Sequence, residues 1–394
     1  MTNKHQIATF MESAREEVID LTKRLIAAKT VNPPGDEASA AQVVEDYLRA
    51  NGIPCERFEK APGRTNVLAR IGSGTPVLLV PLHLDTVPPG DGWTSDPFRA
   101  EVREGRIYGR GAGDDKGPLA SCLVLMKFLK QHERDLKGQF LLAAAADEEC
   151  GSGFGFEWLL VERKLCADYA IVPDVAHNMQ MIDVAEKGVL FFEITSHGKQ
   201  AHGSRPEKGV NAVWNMIDLL NRIRGLDLAT EPHPLLGHAT LNLGAIEGGS
   251  APNMVPARCT AKIDIRYLPS QTKDGILGAV QRAIADTVAS LGTAKFDLRI
   301  LTDHPPTEVP TDHLLVKVIQ RHAREMLDID ARPMGQSGAT LCKQLLAHGI
   351  AAVGFAPGDA GEAHAANESI SIQELVDFAK VMAAISLDLL GRER

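Results

Sequence analysis

The sequence predicts an α/β protein in two domains: a larger, discontinuous one with helices around a mixed sheet, and a smaller α+β domain inserted into it. Three observations carry this. Short, almost wholly apolar runs at 77–82, 140–146, 169–172 and 350–355 read as strands buried on both faces. Helical stretches such as 119–131 alternate with them, as in a sheet covered on both sides. From about Val189 the pattern changes to strands at 189–195, 240–245, 257–265 and 295–301, separated by helical stretches near 208–224 and 272–291. The α/β pattern resumes after Pro305. The expected boundaries are therefore 1–187 with 304–394 for the discontinuous domain and 188–303 for the insert.

Helices bracket the chain. Ser13 followed by Glu16, and Ser371 followed by Glu374, have capping-box spacing and open apolar-periodic stretches to about Ala28 and Leu390. The 394 residues are too many for one ordinary domain. With 42 Lys and Arg against 51 Asp and Glu, the net charge of -9 lacks the positive field of a nucleic-acid binder. No apolar run approaches the ~20 residues a membrane span needs, so a soluble chain without a membrane partner is expected. Residues 1–12 are polar and lack the apolar core of a secretory signal, which predicts a cytoplasmic location. Cysteines 55, 122, 150, 166, 259 and 342 form no CxxC pair, which argues against a disulfide framework or a thiolate zinc knot. A small-molecule enzyme fits these bounds best.

The chemistry collects where the apolar runs end. The first leads into His83-Leu84-Asp85, the second into Asp147-Glu148-Glu149 and the third into Pro173-Asp174. Carboxyl ends of sheet strands are where α/β proteins build ligand sites, and a buried strand has no structural need for such endings. Gly109 to Gly117, which includes Asp114 and Asp115, adds acidic residues on a glycine-rich loop before a helix. It is neither a P-loop nor a complete GxGxxG, and it also reads as a flexible turn with an N-capping Asp. His83 and Asp85 lie two apart, on one side of an extended chain, so Asp85 is placed to orient the imidazole. The carboxylates offer hard oxygen ligands for a divalent metal. No serine-nucleophile elbow is present, since Gly335-Gln336-Ser337-Gly338 has the wrong spacing.

These stretches resemble the M20 family of co-catalytic zinc peptidases and deacylases, which includes acetylornithine deacetylase, succinyl-diaminopimelate desuccinylase, aminoacylase and glutamate carboxypeptidase. The likeness runs nearly end to end. It is carried by His-x-Asp within 81–88, Gly-Arg-Gly-x-x-Asp-x-Lys-Gly at 109–117, Asp147-Glu148-Glu149, Gly198 to Ala212 with Ala201-His202, Pro252-Asn253-Met254-Val255-Pro256, Asp264-Ile265-Arg266, and Ala363-His364 to Asn367-Glu368.

The resemblance implies a zinc-hydrolase catalytic domain and an insert that serves as dimerisation or lid domain. It implies two zinc ions, replaceable by cobalt or manganese, bridged by Asp114. His83 and Asp174 would complete one ion's protein shell, and Glu149 and His364 the other's. Glu148 would be the general base and Asp85 the residue orienting His83, with a cis peptide at Asp114-Asp115. His202 would stabilise the oxyanion from the partner of a homodimer, and Asn253 and Arg266 would bind substrate. The implied reaction removes an N-acyl group from a small amino acid; cleavage of a dipeptide or of a C-terminal residue is the alternative. A catalytically silent relative would be expected to have lost Glu148 or a ligand, and none is lost. Three departures bear on substrate, one being Gly335-Gln336-Ser337-Gly338-Ala339 where many relatives carry Gly-Thr-Ser-Asp in a loop that contacts substrate. Pro173-Asp174-Val175 stands where the deacetylase and desuccinylase carry Gly-Glu-Pro, and Glu186-Lys187-Gly188 where desuccinylases tend to carry Arg-Arg-Gly.

Overall fold

Side chains alternate along a strand with period two, so a strand that is apolar at every position must be covered on both faces. The computed structural model, which describes residues 4–162, 164–228 and 231–392, contains such a sheet. Seven of its nine strands run in the order Cys55–Glu59, Thr65–Gly72, Gln139–Ala145, Val77–His83, Tyr169–Ala176, Ala351–Ala356, Met181–Glu186, and Thr307–Glu308 and Arg332–Gln336 pair with the last. The Val77–His83 strand is parallel to both of its neighbours, and Ala351–Ala356 is parallel to Tyr169–Ala176. Thr65–Gly72 is antiparallel to both of its own, which makes the sheet mixed. On one face Leu79, Leu141, Ala143 and Val172 pack against Phe156, Leu159, Leu341 and Leu345. Helices Gly117–Gln131 and Ile372–Leu390 pack together and against the strands of this sheet. No helix among the described residues is long and apolar enough to cross a membrane.

The chain forms two compact units. The first runs to Val184 and includes Val309–Met334 and the chain from Thr340. The second comprises Ala185–Glu308 and Gly335–Ala339. Relative to the sequence-based boundaries, 185–187, 304–308 and 335–339 all group with the insert. The last of these does so for a local reason: a Cβ at Gly335 would lie 2.6 Å from Leu236, and the Ser337 carbonyl accepts a hydrogen bond from Arg266. The second unit's antiparallel sheet has the order Thr240–Gly248, Arg258–Tyr267, Gly188–His197, Lys295–His304. Helices Ala212–Arg224 and Lys273–Leu291 cover one face, through Met216, Leu219 and Val280 against Phe192, Ile194 and Ile263.

One expected cap is absent. Ser13 is the last residue of helix Lys4–Ser13, and its hydroxyl donates back to the Phe10 carbonyl at 2.7 Å. The next helix, Arg15–Ala27, starts after Ala14 without a side-chain cap. At the other end Ser371 caps Ile372–Leu390 by accepting from the Glu374 N–H at 3.3 Å. Substituting Ser371→Ala is therefore expected to cost about 1 kcal/mol in urea denaturation. Ser13→Ala is expected to stay within about 0.5 kcal/mol of wild type, because no helix N-terminus depends on it.

Candidate metal centre

The Val77–His83 and Gln139–Ala145 strands end side by side, at or just before one imidazole and a run of acids, and Asp174 lies near the end of the neighbouring Tyr169–Ala176. His83 closes Val77–His83 and is buried, with Nε2 2.8 Å from Asp114 Oδ1. Its Nδ1 lies 3.0 Å from the Asp85 carbonyl oxygen and 3.6 Å from the carboxylate. The backbone oxygen meets the ring most closely, and a second task falls to the carboxylate. Its two oxygens accept from the N–H groups of Glu148 at 3.1 Å and Glu149 at 3.2 Å. Asp85 thus clamps the backbone that carries both acids.

Asp114 lies in the turn between Gly111 and helix Gly117–Gln131, and the Asp114-Asp115 peptide is cis. The glycines there answer steric demands. Gly111 has φ +86°, and a Cβ at Gly117 would lie 2.2 Å from the Ala112 carbonyl oxygen. Asp114 presents Oδ1 to His83 and Oδ2 to His364, whose Nε2 is 3.1 Å away. The same His364 nitrogen lies 3.1 Å from Glu149 Oε2. His83, Asp114 and Glu149 have donor atoms within 4.8 Å of one another.

The electrostatics follow from this crowding. Burial and the charges of Asp174, Asp114 and Glu149 push the Glu148 carboxyl well above the ordinary carboxylate range, against a smaller pull from His83. Burial raises Asp115 as well, with Asp174 and Asp114 adding to it. Asp174, half-buried in the Tyr169–Ala176 strand, therefore acts on both groups. His364 is raised to about 10 by its bonds to Asp114 and Glu149. Asp115 Oδ1 and Lys116 Nζ have no hydrogen-bond partner among the described residues, and burial lowers Lys116 to about 7. Carboxylates gathered between the buried His83 and the exposed His364 form a donor set suited to a divalent cation such as zinc, cobalt or manganese. These residues fit one.

Residues 79–388 match the Peptidase family M20/M25/M40. The chain belongs to this family. It is 31% identical over 335 residues to an acetylornithine deacetylase of Shigella sonnei, across 79% of this chain and 83% of the relative. A succinyl-diaminopimelate desuccinylase of Gluconacetobacter diazotrophicus is 33% identical over 279 residues, covering 67% of this chain and 70% of that one. Among solved structures, aminopeptidase PepT from Bacillus cereus superposes with a TM-score of 0.78 at 23% identity, covering 94% of this chain and 97% of its own, and shares the fold. The protein is thus a hydrolase of amide bonds in a metal-dependent family.

In this M20 hydrolase the other expected site residues lie in the second unit. Ala201–His202 pairs with Met254–Val255, and the Gly203 N–H donates to the Asn253 carbonyl at 2.7 Å, so His202 and Asn253 are neighbours. The His202 ring is exposed and bonded to Ser204 at 2.8 Å. Arg266 stands at the far end of the Arg258–Tyr267 strand, where its guanidinium is held by the Asp264 carboxylate at 2.8 and 3.2 Å and stacks on Phe191.

One pair went unassigned in the sequence, although both members lie in quoted motifs. Arg110 and Glu368 are both buried and 2.7 Å apart. Glu368 also accepts from the N–H groups of Gly111, Gly113 and Asp114, at 3.1, 2.8 and 3.1 Å. Arg110 Nη2 donates to the carbonyls of Pro89 and His364, at 3.1 and 3.2 Å. Together they fasten the loop of His364 to the loop of Asp114. The available signal was a large cation between two glycines, followed by acids. Arg110→Ala leaves Glu368 buried without its counter-charge and is expected to cost about 3–5 kcal/mol in urea denaturation. Arg110→Lys is expected to recover only part of this, since an ammonium cannot fork across Glu368 and two carbonyls.

Proposed function

We propose that this hydrolase removes an N-acyl group from an amino acid, with two zinc ions held by the larger unit and Glu148 as general base. The observation that carries the reading is Asp114, whose two carboxylate oxygens face different imidazoles, His83 and His364, as a bridging carboxylate's would. In this assignment His83 and Asp174 complete one metal's shell, and Glu149 and His364 the other's. Cobalt or manganese suits the same oxygen and nitrogen donors. The bound metals supply Lewis-acid polarisation of the scissile carbonyl and lower the pKa of water.

The chain's own residues do the rest. Glu148 takes the proton of the attacking water and delivers it to the leaving amine nitrogen, a shuttle that needs its carboxylate ionised at the start of the cycle, which the charge of bound cations would favour. Asp85 fixes the Glu148 backbone while its carbonyl orients His83. His202 is assigned to the oxyanion, and Asn253 and Arg266 to the substrate's carbonyl or carboxylate. For Arg266 the assignment requires a carboxylate to share a guanidinium that Asp264 already holds.

The deacylase reading is supported by the Shigella sonnei relative's name and coverage. One observation sets the chain apart from the deacetylases that carry Glu: Asp174, near the end of the third strand, is the residue type of the aminoacylase and dipeptidase branches, one a deacylase and the other a peptidase, so it admits either reading. A panel of N-acetylornithine, N-succinyl-diaminopimelate, N-acetylmethionine and dipeptides, each with a chelated control, separates the two. Chelator-sensitive turnover of an N-acyl amino acid is expected; turnover of dipeptides alone replaces the reading with the peptidase. Glu148→Ala is expected to keep two metals per chain by elemental analysis and to retain no more than a few per cent of kcat. His202→Ala is expected to lower kcat by ~10²–10³ with little change in KM, because the oxyanion exists only in the transition state.

A homodimer belongs to the same reading. The Thr240–Gly248 strand lies at an edge of the second unit's sheet, with Leu243 and Ile246 exposed on it and Trp214 exposed on helix Ala212–Arg224. An edge strand flanked by apolar groups invites pairing with another chain. Sedimentation at micromolar concentration is expected to give a dimer, and Ile246→Lys a monomer.

A further inference from the structure

Behind the acids lies a buried polar network that none of the roles above uses. Asn32, 3% exposed, donates both hydrogens of its amide nitrogen: one to Asp85 Oδ2 at 2.8 Å, the other to Asp147 Oδ1 at 3.0 Å. Asp147 Oδ1 also accepts from Arg64 Nη2 at 2.7 Å, and Oδ2 accepts from the Phe154 N–H at 3.0 Å. Arg64 in turn forks across the buried Glu37, with Nε and Nη2 each 2.9 Å from a carboxylate oxygen. The chain leaves room for this guanidinium at Gly35, where a Cβ would sit 2.4 Å from Arg64 Cζ.

The two carboxylates that Asn32 spans hold the same short segment from opposite ends. Asp147 turns the chain out of the Gln139–Ala145 strand with φ +69°, a left-handed conformation uncommon outside glycine, though aspartate adopts it more readily than most. Asp85 receives the next two N–H groups, those of Glu148 and Glu149. Two like charges this close repel unless a donor lies between them. A neutral side chain with two hydrogens on one nitrogen supplies that donor without adding charge. Leucine matches asparagine in size but donates nothing, and aspartate would place a third carboxylate there.

We propose that Asn32 is a positioning residue: by spanning the Asp85 and Asp147 carboxylates it fixes the Glu148–Glu149 backbone, with the Arg64–Glu37 ion pair as its anchor. It touches neither substrate nor metal. The inference rests on Glu148 being the base and Glu149 a ligand, so the test pairs a kinetic readout with one that needs no turnover.

Asn32→Leu is expected to lower kcat by about 10–100-fold while KM stays within about threefold, the pattern of lost alignment. Asp147→Ala is expected to lower kcat at least as much, and the double variant to lose less than the two losses combined, since each change removes the Asn32–Asp147 contact. Thr22→Val removes a buried hydrogen bond elsewhere in the same unit, to the Val18 carbonyl, and is expected to leave kcat unchanged. The second readout is the visible absorption of protein loaded with cobalt(II) alone, expected to shift in Asn32→Leu and not in Thr22→Val, because the Glu149 donor moves. If Asn32→Leu does not fold, Asn32→Ser carries the same two measurements. A kcat within twofold of wild type, an additive double variant, or an unshifted cobalt spectrum overturns the proposal. Should wild type hydrolyse no amide in the panel, the functional reading fails and the cobalt spectrum alone decides the role of Asn32.

Discussion

Negative charge confined to a buried place is the constraint on which the rest of this structure depends. Asp85, Asp114, Asp115, Asp147, Glu148, Glu149 and Glu368 gather where the Val77–His83 and Gln139–Ala145 strands end and helix Gly117–Gln131 begins, and Asp174 acts on them from a third strand. Each must be matched by a cation, by hydrogen-bond donors or by a proton. The fold uses all three. Arg110 matches Glu368, and Arg64 matches Glu37 and Asp147. Backbone N–H groups serve Asp85 and Glu368, while Glu148 and Asp115 are pushed towards their protonated forms. Loops that would otherwise repel one another are thereby held in fixed positions.

Much of this was legible in the sequence because the signals were local. An apolar run ending in His83 or Asp147 marks a buried strand with a polar carboxyl end, and those strands are present. The mixed sheet and the α+β insert were legible for the same reason, since hydrophobic period survives at short range. Three kinds of feature were not. Thr65–Gly72 lies buried in the sheet, but Asn66 and Arg70 break its apolar pattern. The Ser13 cap failed because the residues before it also form a helix, so no helix start was there to cap. The division of labour within Asp85 was hidden for a third reason. Spacing two residues apart identifies the partners but not whether carbonyl or carboxylate meets the ring, and the strand's geometry chose the carbonyl.

Long-range pairing was the least legible of all. Arg110 and Glu368 are separated by 258 residues, and Asn32 and Asp147 by 115. Nothing in either neighbourhood names its partner. Each does carry a local oddity: an arginine between glycines, and an asparagine ahead of two prolines and a glycine. Such residues are strongly constrained yet lack the chemistry of an active-site group, so motif reading passes over them. They become intelligible only when the carboxylate each one serves is known.

The same constraint links metal binding to folding. Lys116 Nζ and Asp115 Oδ1 are buried without hydrogen bonds among the described residues, and leaving one such group unsatisfied typically costs about 1–3 kcal/mol. Both follow Asp114 directly in the chain, so the cost is concentrated where the site's charge is densest. A divalent cation held by His83, Asp114 and Glu149, as proposed above, would attract the surrounding carboxylates and would bind the folded arrangement far better than an unfolded chain that cannot assemble those donors. By mass action such a ligand stabilises the fold by RT ln(1 + [L]/Kd), about 2.7 kcal/mol at a hundredfold excess over Kd. Charge that burdens the fold without a cation would become attraction with one, so the crowding that makes the centre costly to build is also what would draw a divalent metal to it.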